Sequence, residues 1–152
     1  MSNVDYNCIF CAIVARRAPA AIIYENADAL AFLDIHPIVA GHILVIPKKH
    51  ARNIFDFDDA SGNGVMRAQR VVAHALRDAF AADGLTIFQS NERAGGQDVF
   101  HYHAHMVPRF HGDGLMARDG NDRTMRLFVR THPSREELAR VAEKIRAAVK
   151  DA

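Results

Sequence analysis

Cysteine is scarce in this chain, and the shortage limits how the fold can be stabilised. Two cysteines occur, Cys8 and Cys11, with two residues between them. A single close pair is a poor framework for a secreted, disulfide-stabilised domain. In a reducing compartment the same spacing is typical of half a zinc site or of a redox pair. A thioredoxin-type redox pair should follow a strand, and the polar segment before Cys8 disfavours that alternative.

Charge of one sign and long hydrophobic runs are also missing. The net charge is +1 at pH 7 and no stretch is dense in Lys or Arg, so the chain lacks the positive field that attracts nucleic acid. No apolar run approaches the roughly 18 residues needed to cross a bilayer, and the first residues lack the basic and apolar blocks of a signal peptide. We therefore expect a cytoplasmic protein with a small-molecule partner and without nucleic-acid or membrane partners.

The apolar pattern predicts one α+β domain over residues 1–152, since no repeat or linker-like stretch divides the chain. Short β-prone segments outnumber the helices and follow one another, which favours an antiparallel sheet over a doubly wound one. We expect strands at residues 22–25, 29–34, 42–47, 85–89 and 99–108. We expect helices at residues 8–16, from Asp58 to about Ala82 with Gly84 as the stop, and at about 135–150, where Ser134 and Glu137 form a capping-box pattern.

Three of the nine histidines lie at alternate positions, His101, His103 and His105. Alternate side chains of a strand share one face, so the three imidazoles should lie side by side. Such a row suits a metal site, or nucleophilic catalysis by one imidazole that the others tune. The preceding loop contains Gly95-Gly96, which lets backbone N–H groups approach an anion, and Gln97 offers a side-chain donor. These loop features favour nucleophilic catalysis on a phosphate group over a metal site.

Residues 101–107 resemble the motif of the histidine triad family, in which three histidines alternate with apolar residues. Further blocks similar to the family's occur in the same order, at residues 8–13, 31–35, 41–50 and 91–97. The resemblance covers about residues 6–109 and implies an antiparallel sheet with one long helix, a short N-terminal helix and a C-terminal helix. The extension over residues 110–152 does not resemble the tryptophan-containing tail of the Hint branch. In this extension we expect solvated surface for His111, Arg126, Arg130 and His132, with contact to the substrate or to a second subunit as the alternative.

The resemblance also implies a role for each histidine. His103 would be the nucleophile that forms a nucleotidyl-phosphohistidine. His105 would contact the phosphate or the leaving group, and His101 would support the site. The α-phosphate would be held by Asn91, Gln97 and the backbone around Gly96, and the ribose hydroxyls would be accepted by Asp34. A slot for a purine base would be lined by Ile9, Phe10, Ile13, Phe32 and Ile35.

In a bacterial branch of the family the cysteine pair belongs to a zinc site, and this chain resembles that branch closely. The ligands carried over by position are Cys8, Cys11, His50 and His101, a closed Cys₂His₂ set suited to a structural zinc ion. The chemistry at His103 would then need no metal. The residues alone leave open the alternative of two ordinary buried thiols, because the histidines are distant from the cysteines in sequence.

The implied activity is hydrolysis of a nucleoside phosphoramidate or a dinucleoside polyphosphate at the α-phosphate, with release of a nucleoside monophosphate. Three other functions compete with it: a nucleotidyl transferase, a nucleotide-binding regulatory module with slow incidental hydrolysis, and a triple-histidine metalloenzyme. The complete triad favours hydrolysis, because relatives that transfer nucleotides to sugar phosphates replace part of it. The resemblance also implies a homodimer whose sheet continues across the interface.

Overall fold

The computed structural model describes residues 7–116 and 129–150, and its elements follow the order expected from the apolar pattern. The strands are β1 (Ile22–Glu25), β2 (Ala29–Leu33), β3 (Ile43–Pro47), β4 (Gly84–Gln89) and β5 (Ala104–Arg109). The helices are α1 (Ile9–Val14), α2 (Asp59–Phe80) and α3 (Arg135–Ala148), with short 3₁₀ turns at Ile54–Asp56 and Arg93–Gly95. The strands pair only in antiparallel fashion, so the predicted α+β class is confirmed.

The five strands form one sheet in the order β1-β2-β3-β5-β4. Strand β5 therefore lies between β3 and β4, with His105 opposite Leu44 of β3. Every residue of β2 and β3 is buried, because alternate side chains enter different clusters on the two faces of the sheet. Ala31 packs on the side of α2, whereas Phe32 packs with Phe10 of α1 on the other side. This double cover explains why both strands are apolar throughout.

Helix α2 begins at a capped end and lies close against the turn between β1 and β2. The side chain of Asp58 accepts the Ser61 N–H at 2.8 Å, which satisfies a backbone donor of the first turn. At Gly64 a Cβ atom would lie 2.4 Å from the Cβ of Asp28, so only glycine allows this approach. The helical spacing of Val65, Val72, Leu76 and Phe80 predicts one buried stripe. The helix buries the first three of these together with Ala68 and Ala75, whereas Phe80 is half-buried.

The predicted stop of α2 at Gly84 is wrong. The cap is Ala81, which takes the left-handed conformation with φ of 51°. A single non-glycine residue can adopt this conformation at a cost of about 1–2 kcal/mol. Gly84 instead opens β4, where it pairs with Arg109 of β5. The chain therefore turns from helix to strand within three residues, before the glycine is reached.

Helix α3 has the capping box that the sequence predicts. The Ser134 side chain accepts the Glu137 N–H, and the Glu137 side chain accepts the Ser134 N–H in return. Ala142 and Ile145 of α3 are buried in the same cluster as α2, so the C-terminal helix completes the core on that face of the sheet. No helix in the described part of the chain is both long and apolar enough to span a bilayer.

The predicted strand over residues 99–108 begins only at Ala104, which is a second correction. Residues 101–103 lie ahead of the ladder, because the Tyr102 N–H donates to the Ala51 carbonyl at 2.7 Å and not to a neighbouring strand. The alternation of faces nevertheless continues through this segment. Tyr102, Ala104 and Met106 enter the cluster against α2, and the three histidines are directed away from it.

Candidate active site

The three clustered histidines are buried together. His101, His103 and His105 are 0%, 3% and 7% exposed. The rings of His103 and His105 pack edge to face with centroids 5.0 Å apart. Phe10 of α1 packs its ring against His103 at 5.3 Å, so the N-terminal helix forms one wall of the site. The structure therefore brings together the row of imidazoles that the sequence predicts.

The backbone fixes which nitrogen of His103 carries its proton. Nδ1 lies 2.7 Å from the His101 carbonyl oxygen, which can only accept a hydrogen bond. In a neutral ring Nδ1 must therefore hold the proton, and Nε2 keeps its lone pair. No hydrogen bond to Nε2 forms within residues 7–116 and 129–150; the carboxylate of Asp98 lies 3.8 Å away. The neutral form of His103 therefore directs the lone pair of Nε2 into the site.

A fourth histidine, His42 directly before β3, orients His105. The Ile38 N–H donates to Nδ1 of His42 at 3.1 Å, so in a neutral ring the proton lies on Nε2. That nitrogen is 2.9 Å from Nδ1 of His105, to which it donates. His105 must then carry its own proton on Nε2. Through this chain of hydrogen bonds, His105 presents an N–H donor at Nε2.

Burial keeps both members of this pair neutral. It is the main reason that the pKa of His42 falls to about 3, with Arg130 and His103 as lesser causes. Burial also lowers the pKa of His105 to about 2, with His103, His42 and Arg130 as lesser causes. Sequence reasoning assigned no role to His42, although the Gly41-His42 pair directly before a buried strand was a signal that could have found it.

The neutral pair predicts a loss of stability in acid. The pKa of an imidazole in the unfolded chain is near 6.5, whereas in the fold the pKa is about 3 for His42 and about 2 for His105. The unfolded chain therefore binds more protons as the pH falls below about 6.5, and each imidazole should lower the free energy of unfolding by up to about 1.4 kcal/mol per pH unit. Urea unfolding between pH 7.5 and 5 measures this slope. The His42→Gln variant should show a shallower slope, and an unchanged slope would contradict the assignment.

The predicted ribose acceptor, Asp34, is close to this chain of hydrogen bonds and is already paired. Its Oδ2 lies 2.9 Å from Nη1 of Arg130 and 3.7 Å from Nε2 of His42. Its Oδ1 accepts the His36 N–H at 2.9 Å. Burial raises the pKa of Asp34, while the hydrogen bond from His36 and the charge of Arg130 act in the opposite direction.

Arg130 corrects the expectation that the C-terminal extension contributes only solvated surface. Its guanidinium contacts Asp34, and the next residue, Thr131, donates both its N–H and its hydroxyl to the Pro37 carbonyl. His132 contacts His36, with their Nδ1 atoms 3.1 Å apart. The extension thus crosses the loop that carries Asp34. His111 and His132 are exposed as expected, and Arg126 lies outside the described residues.

The loop between β4 and β5 is braced by hydrogen bonds from the groups that the sequence predicts as phosphate donors. Nε2 of Gln97 donates to the carbonyls of Arg52 and Val99, at 2.7 and 3.0 Å, so both amide protons are used. The backbone N–H groups of Gly95, Gly96 and Gln97 close the 3₁₀ turn through the carbonyls of Glu92 and Arg93. Gln97 and Gly96 therefore shape the loop, and neither offers a free donor in this conformation.

Glu92 anchors the same loop from outside. Arg52 donates two hydrogen bonds to its carboxylate, at 3.0 and 2.8 Å, and Asn53 donates a third. These partners, Arg52 first, lower the pKa of Glu92 to about 2. The anchor matters because Glu92 has φ of 60°, a region that disfavours residues with a side chain. Asn91 is likewise engaged, with Oδ1 accepting the Ile54 N–H at 2.9 Å.

The five residues predicted to line a base slot separate into two groups. Phe10, Ile13 and Phe32 are buried in one cluster between α1 and the sheet. Ile9 and Ile35 are 51% and 61% exposed. The buried three serve as core in this structure, and the exposed two are the members with surface free to meet a ligand.

The predicted metal ligands do converge. Cys8, Cys11, His50 and His101 place one donor atom each within 4.8 Å of the others. Nδ1 of His101 lies 3.4 and 3.6 Å from the two sulfurs, and Nδ1 of His50 lies 3.3 Å from Sγ of Cys11. Bond lengths near 2.3 Å to sulfur and 2.05 Å to nitrogen give a tetrahedral S–N edge of about 3.6 Å. The donor set therefore fits zinc in both chemistry and size.

The second nitrogen of His101 supports the same interpretation. Nε2 lies 2.9 Å from the Pro47 carbonyl oxygen, which can only accept a hydrogen bond. In a neutral ring Nε2 therefore carries the proton, and Nδ1 has the lone pair that can bind a metal ion. A hydrogen bond of this kind orients many metal-binding histidines.

Comparison with known proteins bears on this geometry. A family model described as the HIT domain matches residues 15–112, which include the whole histidine row. The chain belongs to the HIT, or histidine triad, family. It is similar to a protein named "Protein hit" of Bacillus subtilis, with 46% identity over 112 residues that cover 73% of this chain and 77% of the relative.

Solved HIT structures extend the likeness beyond the matched segment. A Hit-like protein from Bartonella henselae, described as involved in cell-cycle regulation and bound to an unknown ligand, has a TM-score of 0.81 and 39% identity. It covers 95% of this chain and 98% of its own. A zinc-bound histidine triad protein from Mycobacterium smegmatis has a TM-score of 0.75 and 37% identity, covering 93% and 92%. This HIT chain thus shares its fold with a zinc-bound relative, and its own cluster of two cysteines and two histidines could hold a metal ion.

Proposed function

We propose that this HIT protein hydrolyses nucleotides at the α-phosphate through a phosphohistidine on His103. The proposal rests on where the protons lie on two neighbouring rings, His103 and His105. His103 offers a lone pair on Nε2, because its Nδ1 proton is held by the His101 carbonyl. Its ring neighbour His105 offers a proton on Nε2, because His42 donates to its other nitrogen. A nucleophile and a hydrogen-bond donor for the reacting group therefore lie side by side in one buried site.

The reaction would proceed in two displacements. In the first, Nε2 of His103 attacks the α-phosphorus and the bond from phosphorus to the leaving group breaks. The leaving group accepts a hydrogen bond from the Nε2–H of His105 and takes its proton from solvent. In the second, a water molecule attacks the phosphorus of the phosphohistidine, and the N–P bond breaks. One proton of that water stays on the product and the other returns to solvent, so a nucleoside monophosphate leaves and His103 is restored. Covalent catalysis replaces one difficult displacement by two easier ones.

Zinc, held by Cys8, Cys11, His50 and His101, would act structurally, as four protein ligands leave no open position. When bound, it would tie α1 to the segment before β5. The same His101 supplies the carbonyl that holds the proton of His103. The metal would therefore hold in place the backbone group that sets the tautomer of the nucleophile, and no step of the reaction would pass through the metal.

The assembly that we propose is a homodimer of single-domain chains in the cytoplasm. Strand β4 is at one edge of the sheet, and its Ile87 side chain is 50% exposed. An edge strand with an exposed apolar residue is suited to pairing with a second copy. A purine nucleotide would enter beside Ile9 and Ile35, the exposed members of the predicted slot.

Release of AMP tests the proposed activity directly. The protein is incubated with adenosine phosphoramidate and, separately, with diadenosine tetraphosphate, and AMP is quantified by chromatography. We expect AMP from at least one substrate, at a rate that is proportional to protein concentration. Absence of AMP from both, while the protein still binds AMP by calorimetry, would favour a nucleotide-binding module and would refute the hydrolase.

A further inference from the structure

Asp98 places a carboxylate beside the attacking nitrogen of His103. Its Oδ1 lies 3.8 Å from Nε2 of His103, and its side chain is 84% exposed. The same Oδ1 accepts the Val99 N–H at 2.8 Å, which holds the carboxylate over the loop. The preceding Gln97 is 4% exposed and donates to two carbonyls, which holds the backbone next to Asp98 in place.

A negative charge at this place affects every substrate that reaches His103. A phosphorus poised for attack lies about 3–3.5 Å from the nucleophilic nitrogen. The leaving group is attached to that phosphorus, so it lies within about one Debye length of the Asp98 carboxylate at physiological salt. The carboxylate therefore acts on the charge of the leaving group, repelling anionic groups and attracting cationic ones.

Two arginines near the site are already paired with carboxylates. Among the described residues, Arg130 is paired with Asp34 and Arg52 is paired with Glu92. Arg93 contacts the Phe100 ring, with its guanidinium 5.6 Å from the ring centre, and keeps its charge. Polyphosphate chains are usually bound by clamps of several arginines or lysines, and two of these three arginines have other partners. The surroundings of His103 are thus poorly suited to a leaving group with several negative charges.

We propose that Asp98 is a specificity-determining residue that selects nucleoside phosphoramidates with a neutral or cationic amine leaving group over substrates that release a phosphate chain. The inference rests on the proposed hydrolysis and narrows its substrate class. The reaction itself is unchanged: the P–N bond breaks, and the amine leaves with a proton taken from solvent. Asp98 acts through charge and takes part in no bond change.

A series of leaving groups of similar size and different charge tests this role. Adenosine 5′-phosphoramidates of ethylenediamine, propylamine and β-alanine carry a positive, a neutral and a negative leaving amine. For the unmodified protein we expect kcat/KM to fall in that order, by roughly fivefold per unit of charge for a solvent-exposed carboxylate. The Asp98→Asn variant should flatten the series, and 0.5 M KCl should flatten it for the unmodified protein.

Two variants serve as controls. Glu143→Gln removes one exposed carboxylate from α3 and should leave the series unchanged. Asp98→Glu keeps the charge and should retain a slope. A series that is equally steep in Asp98→Asn, or flat in the unmodified protein, would overturn the role of Asp98 while leaving hydrolysis intact. A protein that releases no AMP from any of the three substrates would overturn both this inference and the proposed function.

Discussion

Replacing His103 by alanine should lower AMP release from adenosine phosphoramidate by roughly 10⁴-fold or more, since removal of a nucleophile abolishes the covalent route. The large effect follows from the position of the ring, which is 3% exposed and has one nitrogen bound to the His101 carbonyl and the other facing the site. Steady-state kcat/KM with adenosine phosphoramidate is the measurement. The fold should persist, because His103 belongs to neither the metal cluster nor the cluster against α2.

His74→Ala supplies the matched control for this experiment. His74 is an exposed histidine of α2, and its Nδ1 lies at hydrogen-bond distance from Arg77 on the same helix. Its loss should leave kcat/KM within about twofold of the unmodified value, as expected of a surface substitution. Equal rates for His103→Ala and His74→Ala would show that another group attacks the phosphorus.

Loss of one zinc ligand should remove the metal and much of the stability of the N-terminal helix. In Cys11→Ala we expect metal analysis to show less than a tenth of the zinc of the unmodified protein. Zinc at a thousandfold excess over its Kd stabilises the folded state by about 4 kcal/mol. At about 2–4 °C per kcal/mol for a chain of this length, Tm should fall by roughly 10 °C.

The zinc prediction has its own control and its own contrary result. His103→Ala should keep the metal, because His103 contributes no donor atom to the cluster. A chelator should lower the Tm of the unmodified protein toward that of Cys11→Ala and should leave the variant unchanged. Zinc retained in Cys11→Ala but lost in His103→Ala would instead place the metal on the histidine row, as in a triple-histidine metalloenzyme.

Periodicity along the chain could be predicted from the sequence because it depends on local geometry. The apolar stripe of α2 and the capping box at Ser134 each involve residues a few positions apart, and the structure has both. The start of β5 could not be predicted in the same way. It depends on a hydrogen bond from Tyr102 to Ala51, a residue about fifty positions earlier.

The site shows the same limit on what a sequence reveals. The alternation of His101, His103 and His105 predicts a shared face, but their tautomers are set by groups distant in sequence. His42 reaches His105 across 63 positions, and Arg130 reaches Asp34 across 96. Gln97 has a donor that suits a phosphate, yet its amide is used by the Arg52 and Val99 carbonyls. The residue type determines which hydrogen bonds a side chain can form, and the fold determines which partner it has.

The stereochemical course at phosphorus tests the covalent intermediate most directly. The substrate is a single diastereomer of adenosine 5′-phosphoramidothioate, hydrolysed in water enriched in ¹⁸O, and the configuration of the product is determined by NMR. Two in-line displacements, first by His103 and then by water, predict retention of configuration. Inversion would show that water attacks the substrate directly, and would contradict a phosphohistidine on His103.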